Sequence, residues 1–339
     1  MLIAARPGGT DEGQSTAVWH YGRSDLQMVA VWSEKRPGLG EDAEPTFLHH
    51  EATDRGLLGV YDGLGGAGAR HAGRAVDGRA LSHAFVASRL AHLTVQSWFA
   101  ESMAAPGAGS LRDRLAEVLT SARTAGRAKL GGTLRRDFPT TLALLEYRRG
   151  SASADVTARW AGDSRCFLLT PATGLQQISR DDTEVHDPLE LLIADQPMTN
   201  LASATGAFTV NERHLPATPL PCVLIAATDG FFGYVPAPAL FEYGLLDQLH
   251  RSRSVAEWAG NLAHWVTGYT GDDASLVLVA LGFTSFGRLR THFAGRLGDL
   301  HANHWLPVQH VRNREELVEV RRRSWESYRD RYMHYVEHV

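Results

Sequence analysis

The chain has 339 residues, of which 44% are apolar and 21% charged, proportions typical of a globular protein with a substantial core. Its 34 basic and 38 acidic residues give a formal net charge of -4, which argues against a non-specific nucleic-acid surface. No stretch approaches the ~18 apolar residues that a membrane-spanning helix needs, and the N-terminus lacks the apolar core of a signal peptide. We therefore expect a cytoplasmic protein with neither nucleic-acid nor membrane partners.

Cysteine and histidine residues give no sign of a disulfide framework or a zinc site. Cys166 and Cys222 each lie in an apolar, strand-like run, so we expect buried, reduced thiols. None of the 16 histidines belongs to an H-E-x-x-H motif. The pair His301 and His304 lies in a polar stretch, and we expect both to be ordinary surface residues.

The first half of the chain predicts strands followed by helices. After a polar leader, residues 25–34, 45–52 and 56–62 have the composition of strands. An Ala- and Leu-rich stretch over 66–104 has helical spacing, and a second helix is predicted over 111–130.

The second half predicts a meander and then a mixture of strands and helices. Short runs bounded by Gly, Asp and Pro indicate antiparallel strands over 138–179. The stretch 180–219 is less regular, with a short helix predicted at 188–195 and a surface loop at 196–208. The remaining elements are a buried strand over 221–229, helices over 236–250 and 253–268, and a strand over 274–283. This order favours an α+β layered domain over a doubly wound parallel sheet.

The segment after residue 288 is rich in Arg, His, Trp and Tyr. Trp325, Tyr328, Tyr332 and Tyr335 are spaced so that they share one face of a helix. The opposite face carries Arg321, Arg322, Arg323, Arg329 and Arg331. Two interpretations remain open: the aromatic face packs on the parent domain, or it forms a contact with a partner or a second copy of the chain.

Carboxylates lie next to three of the predicted strands. Asp62 and Asp229 come directly after apolar runs, and Asp272 comes just before one. The sheet fixes the backbone at such positions while the side-chain oxygens point beyond its edge, which suits hard divalent cations. Further acidic candidates are Glu41, Asp42 and Asp163. The sequence therefore predicts a hydrolase that uses two Mg²⁺ or Mn²⁺ ions.

Two other classes of site have partial signatures. The turn from Gly63 to Gly68 matches G-x-G-x-x-G, which is the basis of an alternative dinucleotide-binding oxidoreductase. The second strand that should end in an acidic residue about 20 positions later is absent, and Asp62 would repel a pyrophosphate. Covalent catalysis lacks support because Ser164 is not in a G-x-S-x-G elbow, and neither cysteine is followed six positions later by Arg.

The chain carries in order the motifs GEDAE, VYDGLGG, PTTLALLEY, ARWAGDSRCFLL, LIAATDGFFG and GDDASLVLVAL. This series resembles the metal-dependent protein serine/threonine phosphatases of the PP2C (PPM) family, bacterial type. The resemblance implies an α-β-β-α sandwich of two antiparallel sheets flanked by helix pairs. We accordingly divide the chain into a polar leader (1–24), a PP2C-like domain (25–283) and a C-terminal helical extension (284–339).

The resemblance also implies an activity and a role for each matching residue. The expected reaction is hydrolysis of phosphoserine or phosphothreonine in a protein by a hydroxide that bridges two Mg²⁺ or Mn²⁺ ions, without a phosphoenzyme. Asp62 would bridge the ions and the Gly63 carbonyl would bind one of them. The other implied residues are Asp229 and Asp272 on the second ion, Glu41 and Asp42 holding metal-bound waters or completing the coordination shell, Asp163 on a weaker third ion, and Arg36 on the phosphate.

The sequence departs from the family pattern in several places. Leu64 stands where many members have a histidine proposed as general acid, and Gly233 replaces an aspartate that usually helps the third ion. Asp273 replaces an asparagine, and Arg36 lies one residue further from Glu41 than usual. These departures leave open a second function, that of a catalytically weak or inactive binding or scaffold protein with the phosphatase fold.

Overall fold

Two six-stranded sheets face each other in the protein, with all paired strands antiparallel. The structure is a computed structural model that describes residues 2–4, 15–104, 107, 109–123, 137–184 and 197–337. The first sheet contains, in spatial order, β1 (Leu2–Ala4), β4 (Thr46–His50), β5 (Arg55–Val60), β8 (Leu142–Arg149), β9 (Ser153–Ala161) and β12 (Asn211–Pro219). The second contains β11 (Gly174–Gln177), β10 (Arg165–Thr170), β13 (Cys222–Ala227), β14 (Ala274–Leu281), β3 (Leu26–Ser33) and β2 (Thr16–Arg23).

Helices cover the outer face of each sheet. The helices in the described ranges are α1 (Gly65–Gly68), α2 (His83–Ala104), α3 (Leu111–Ser121), α4 (Asp229–Phe232), α5 (Pro238–Arg251), α6 (Val255–Thr267), α7 (Phe286–Leu300), α8 (Leu306–Gln309), α9 (Arg314–Tyr332) and α10 (His334–Glu337). The core residues of α2 and α3 pack on the first sheet, and those of α5, α6, α7 and α9 pack on the second. The α+β layering and the antiparallel sheets expected from the sequence are confirmed.

The strand β14 shows why the core has three layers of apolar contacts. All eight of its residues are buried, because alternate side chains point to opposite faces of the strand. Leu276 and Leu278 belong to the core under the helices, whereas Val277 and Val279 belong to the core between the sheets. A continuous apolar run is therefore what a strand with both faces covered requires.

Two predicted segments have a different structure. The helix expected over 66–104 is wrong in its first half, where β6 (His71–Arg74) and β7 (Ala80–Ser82) form a hairpin before α2. The prediction of a polar leader is wrong over Thr16–Arg23, because this segment forms β2, which pairs with β3 along its whole length.

The irregular stretch 180–219 contains a strand at its end. Asn211–Pro219 forms β12, the edge strand of the first sheet, and it pairs with β9. The short helix predicted at 188–195 and the end of the helix predicted over 111–130 lie outside the described residues.

The aromatic face of the C-terminal segment packs on the rest of the protein. Trp325, Tyr328 and Tyr332 are each at most 5% exposed and belong to the core beneath the second sheet's helices. Tyr335 packs against the core between the sheets. The structure thus supports the first of the two interpretations of this face.

The expectation that His304 is a surface residue is wrong. A π-helical turn at His301–Trp305 follows α7, and in it His304 is only 8% exposed, with its Nδ1 atom 2.8 Å from Ser324 Oγ. Burial lowers the pKa of His304. Both cysteines are buried and free, as expected. Within the described ranges, no helix combines the length and apolar character needed to cross a membrane.

Candidate active site

A cavity of ≈ 450 Å³ lies where the ends of strands from both sheets meet. The loops after β5, β9 and β13 and the loop before β14 contribute to its wall. Its acidic lining residues are Glu41, Asp62, Asp163, Asp229, Asp272 and Asp273. The structure therefore brings together five of the carboxylates singled out in the sequence, together with Asp273.

The backbone at Asp62 and Gly63 is held in place by neighbouring loops. The Asp62 carbonyl accepts hydrogen bonds from Thr140 Oγ1 at 2.9 Å and from the Thr141 N–H at 2.8 Å. A Cβ atom at Gly63 would lie 2.6 Å from the carbonyl oxygens of both Ala84 and Glu41, so only glycine fits here. The Gly63 carbonyl predicted to bind a metal ion is thus part of a rigid turn.

Asp42 lies behind the cavity wall and is 1% exposed. Thr228 Oγ1 donates to Asp42 Oδ2 at 3.0 Å and accepts from the Ser275 N–H at 2.9 Å, which links the loop of Asp42 and the end of β13 to the start of β14. Burial, the negative charge of Asp273 and that of Asp229 raise the pKa of Asp42 to about 8.

The carboxylates that line the cavity repel one another. Burial and the charges of Asp42, Asp229 and Asp163 raise the pKa of Asp62 well above its usual range. Burial and the charges of Asp229 and Asp181 do the same to the pKa of Asp163. The described side chains supply too little positive charge to offset this repulsion. A cation bound in the cavity would relieve it.

Asp163 has a buried oxygen atom that no described residue satisfies. Its Oδ1 atom is inaccessible to solvent and has no hydrogen-bond partner in the described structure. The preceding residue, Gly162, has φ = +100°, and a Cβ atom there would meet Thr141 Cγ2 at 2.6 Å. The tight turn at Gly162 therefore fixes the direction of a carboxylate whose free oxygen lacks a donor.

The two aspartates before β14 differ in what they contact. Asp273 accepts hydrogen bonds from the N–H groups of Lys35 at 2.7 Å and Glu41 at 2.6 Å. It thereby ties the loop 34–41 to the second sheet, a role that the sequence did not reveal. The Asp272 side chain is 53% exposed, with its Oδ1 atom 3.9 Å from Lys35 Nζ.

Glu41 is anchored by the hairpin and by α2. Ser82, at the end of β7, donates a short hydrogen bond to Glu41 Oε1. The Glu41 carbonyl accepts from Ser88 Oγ at 2.5 Å and from Arg89 Nη1 at 3.0 Å. Burial raises the pKa of the Glu41 carboxyl, which the Ser82 hydrogen bond partly opposes.

Arg36 and Leu64 occupy different positions relative to the cavity. Arg36 is exposed and is not among the described residues that line the cavity. Leu64 does line it, so an apolar side chain faces the place where the family resemblance suggests a proton donor.

The donor atoms that line the cavity are of the kind that suits a hard divalent cation. Carboxylate and carbonyl oxygens are the ligands that Mg²⁺ and Mn²⁺ prefer. The unsatisfied Asp163 oxygen and the mutual repulsion of the carboxylates both fit a cation in this cavity. Among the residues described, however, no group of three or more His, Cys, Asp or Glu side chains is arranged so that it could hold a metal ion.

Comparison with protein-family models and with curated protein sequences finds no match. Solved structures do match, among them those of three bacterial proteins. A serine/threonine phosphatase from Staphylococcus aureus is 16% identical over 77% of this chain and 96% of its own, with a TM-score of 0.51. One from S. agalactiae is 12% identical over 76% of this chain and 99% of its own, with a TM-score of 0.52.

The third similar structure is PppA, a key regulatory component of T6SS in Pseudomonas aeruginosa. It is 21% identical over 77% of this chain and 99% of its own, with a TM-score of 0.50. At these identities the similarity establishes the fold, and the site residues have to be argued from their own geometry. The present chain has two facing antiparallel sheets with helices on their outer faces, and the structures it resembles share this arrangement. Together these findings show that the chain has the PP2C-type phosphatase fold.

Proposed function

We propose that the protein is a metal-dependent phosphatase that hydrolyses phosphoserine or phosphothreonine in a protein substrate. The observation that carries this proposal is the convergence of six acidic side chains on one cavity at the strand ends of a PP2C-type fold. Surface loops would set the choice of substrate.

The residues proposed to hold two Mg²⁺ or Mn²⁺ ions are Asp62, the Gly63 carbonyl, Asp229 and Asp272, with Glu41 and Asp42 completing the site. Asp163 would contribute to a weaker third ion. When bound, such ions compensate phosphate charge and lower the pKa of water toward neutrality.

The chain's own residues would orient this site. Thr228 holds Asp42 behind Asp62, and Asp273 holds the loop that carries Glu41. The described lining of the cavity contains no Ser, Cys or His, which supports hydrolysis without a phosphoenzyme on those residues. Arg36 would have to reach the phosphate from its exposed loop.

Activity on phosphopeptides with saturating Mn²⁺ tests the proposal. Asp62→Asn and Asp229→Asn should each reduce kcat by several orders of magnitude, because the metal-dependent nucleophile has no substitute in the cavity. Asp299→Asn, which removes an exposed carboxylate on α7, is the matched control and should keep full activity. The proposal is wrong if the wild-type protein releases no phosphate or if either cavity variant remains fully active.

A second function remains a candidate, that of a binding or scaffold protein with the phosphatase fold. The incomplete coordination site among the described residues and the apolar Leu64 in the cavity favour it. Calorimetry with Mn²⁺ separates the two proposals: binding with turnover supports the enzyme, and binding without turnover supports the scaffold.

A further inference from the structure

A buried arginine lies beneath two of the proposed metal-binding residues. Arg165 begins β10, two residues after Asp163. Its strand partner is Ala227 of β13, two residues before Asp229. Both carboxylates lie just beyond this pair, so the position of Arg165 bears on the segments that carry them.

The guanidinium of Arg165 is held from several directions and is almost fully buried. It is 2% exposed, donates from Nη2 to Asp181 Oδ2 at 2.6 Å and from Nε to Asp181 Oδ1 at 2.9 Å. Its Cζ atom lies 4.3 Å from the ring centroid of Phe232, the last residue of the short helix that begins at Asp229. A buried charge of this kind needs its hydrogen-bond partners, so its position is tightly determined.

The other side of Asp163 is held by the residue that follows Asp181. Asp182 Oδ2 accepts from the Gly162 N–H at 2.9 Å, and the Asp182 N–H donates to the Gly162 carbonyl at 3.0 Å. Asp163 is thus bracketed by Gly162 and Arg165, each of which is fixed by one member of the Asp181–Asp182 pair.

The C-terminal helix completes this arrangement. Tyr332, at the end of α9, is 1% exposed, and its hydroxyl oxygen accepts from Arg165 Nη1 at 3.3 Å. The neighbouring Arg331 carbonyl accepts from Gln176 Nε2 of β11 at 3.3 Å, which holds the end of α9 against the second sheet.

From these contacts we propose that Tyr332 is a positioning residue of the active site. Acting through Arg165, it fixes the loops of Asp163 and Asp229 and thereby raises their affinity for divalent ions. This inference rests on the proposed metal-binding function. It makes the C-terminal helix a working part of the site.

The test is calorimetric Mn²⁺ binding to the metal-free, full-length protein carrying Tyr332→Phe. This substitution keeps the ring and removes only the hydroxyl oxygen that accepts from Arg165 Nη1. Loss of a partner that orients metal ligands typically weakens metal affinity about 10- to 100-fold. Because Tyr332 acts through one further residue, we expect Mn²⁺ binding to weaken by about threefold to tenfold, with a matching rise in the Mn²⁺ concentration for half-maximal activity and an unchanged KM for phosphopeptide.

Tyr328→Phe is the matched control. Tyr328 lies one turn earlier on the same helix face, is 3% exposed, and donates its hydroxyl to Glu242 Oε2 at 2.6 Å instead of contacting Arg165. Both variants lose one buried hydroxyl, so both should lose stability, but Tyr328→Phe should bind Mn²⁺ as the wild type does. A merely structural role for Tyr332 would make the two variants equal in Mn²⁺ affinity and would overturn the proposal.

A second variant, Arg165→Lys, removes the two-pronged contact with Asp181 and should weaken Mn²⁺ binding more than Tyr332→Phe does. Wild-type Mn²⁺ binding without turnover, combined with weaker binding in Tyr332→Phe, would contradict the phosphatase function and leave this inference supported. Turnover in the wild type with unchanged Mn²⁺ binding in Tyr332→Phe would support the phosphatase function and overturn this inference. A wild-type protein that binds no Mn²⁺ overturns both.

Discussion

Two sets of buried carboxylates in this protein lie under opposite conditions. Beneath α9, Glu242 is fully buried, and its oxygens accept from Arg296 Nε at 2.8 Å, Arg296 Nη2 at 2.7 Å and Tyr328 Oη at 2.6 Å. In the cavity, Asp62 and Asp163 face other carboxylates, and their pKa values are raised. The first arrangement neutralises its charge within the chain, whereas the second requires a cation or a proton from outside.

The largest effect should come from breaking the neutralised pair. Glu242→Ala would leave the Arg296 guanidinium partly buried without its carboxylate, and the free energy of unfolding should fall by about 3–5 kcal/mol. Chemical denaturation measures the change. Glu319→Ala, which breaks an exposed pair with Arg322 and Arg323 on α9, is the control and should leave the denaturation midpoint nearly unchanged. Equal losses in the two variants would contradict the comparison.

The cavity should make the metal-free protein less stable as the pH rises. The pKa of Asp42 is about 8 in the folded state, above the ordinary value near 4 expected in the unfolded state, so the folded state holds an extra proton between these values. Stability from this group is therefore fully present below about pH 4 and is lost as the pH rises toward 8, by up to about 1.4 kcal/mol per pH unit.

Thermal unfolding in EDTA between pH 5 and 8 tests this prediction. Comparing wild type with Asp42→Asn isolates the contribution of Asp42 from that of the buried histidines. The wild-type curve should fall more steeply than that of the variant. Parallel curves would show that Asp42 has an ordinary pKa.

A smaller effect should separate stability from metal binding at Asp163. In EDTA at pH 8, Asp163→Asn should raise the free energy of unfolding by about 1 kcal/mol, because it removes one of the mutually repelling carboxyls. With Mn²⁺ present, the variant should gain less stability than the wild type does. Loss of stability in Asp163→Asn in EDTA would show that the Asp163 carboxyl is stabilised by its surroundings, as that of Glu242 is. That outcome would contradict the comparison.

The strands and the local setting of the carboxylates could be read from the sequence because both are encoded over a few neighbouring residues. The apolar run of β14 and the aspartates that flank β5 and β13 are such local patterns. The hairpin of β6 and β7 also had a local signal, the Asp77-Gly78 turn with Gly78 at φ = +85°, but the surrounding alanines suggested a helix.

The long-range contacts could not be predicted from the sequence. The clamp from Asp273 to the loop of Glu41 spans 232 positions, and the contact between Arg165 and Tyr332 spans 167. A single sequence carries no pattern that pairs such residues. The buried state of His304 was missed for the same reason, since its partner Ser324 belongs to another helix.

The packing of α9 on the second sheet has a practical consequence for protein production. A chain shortened to end at Phe283 would uncover the rings of Phe167 and Phe241, which contact or share a core with Tyr332. We expect such a fragment to aggregate, because large exposed apolar patches promote self-association.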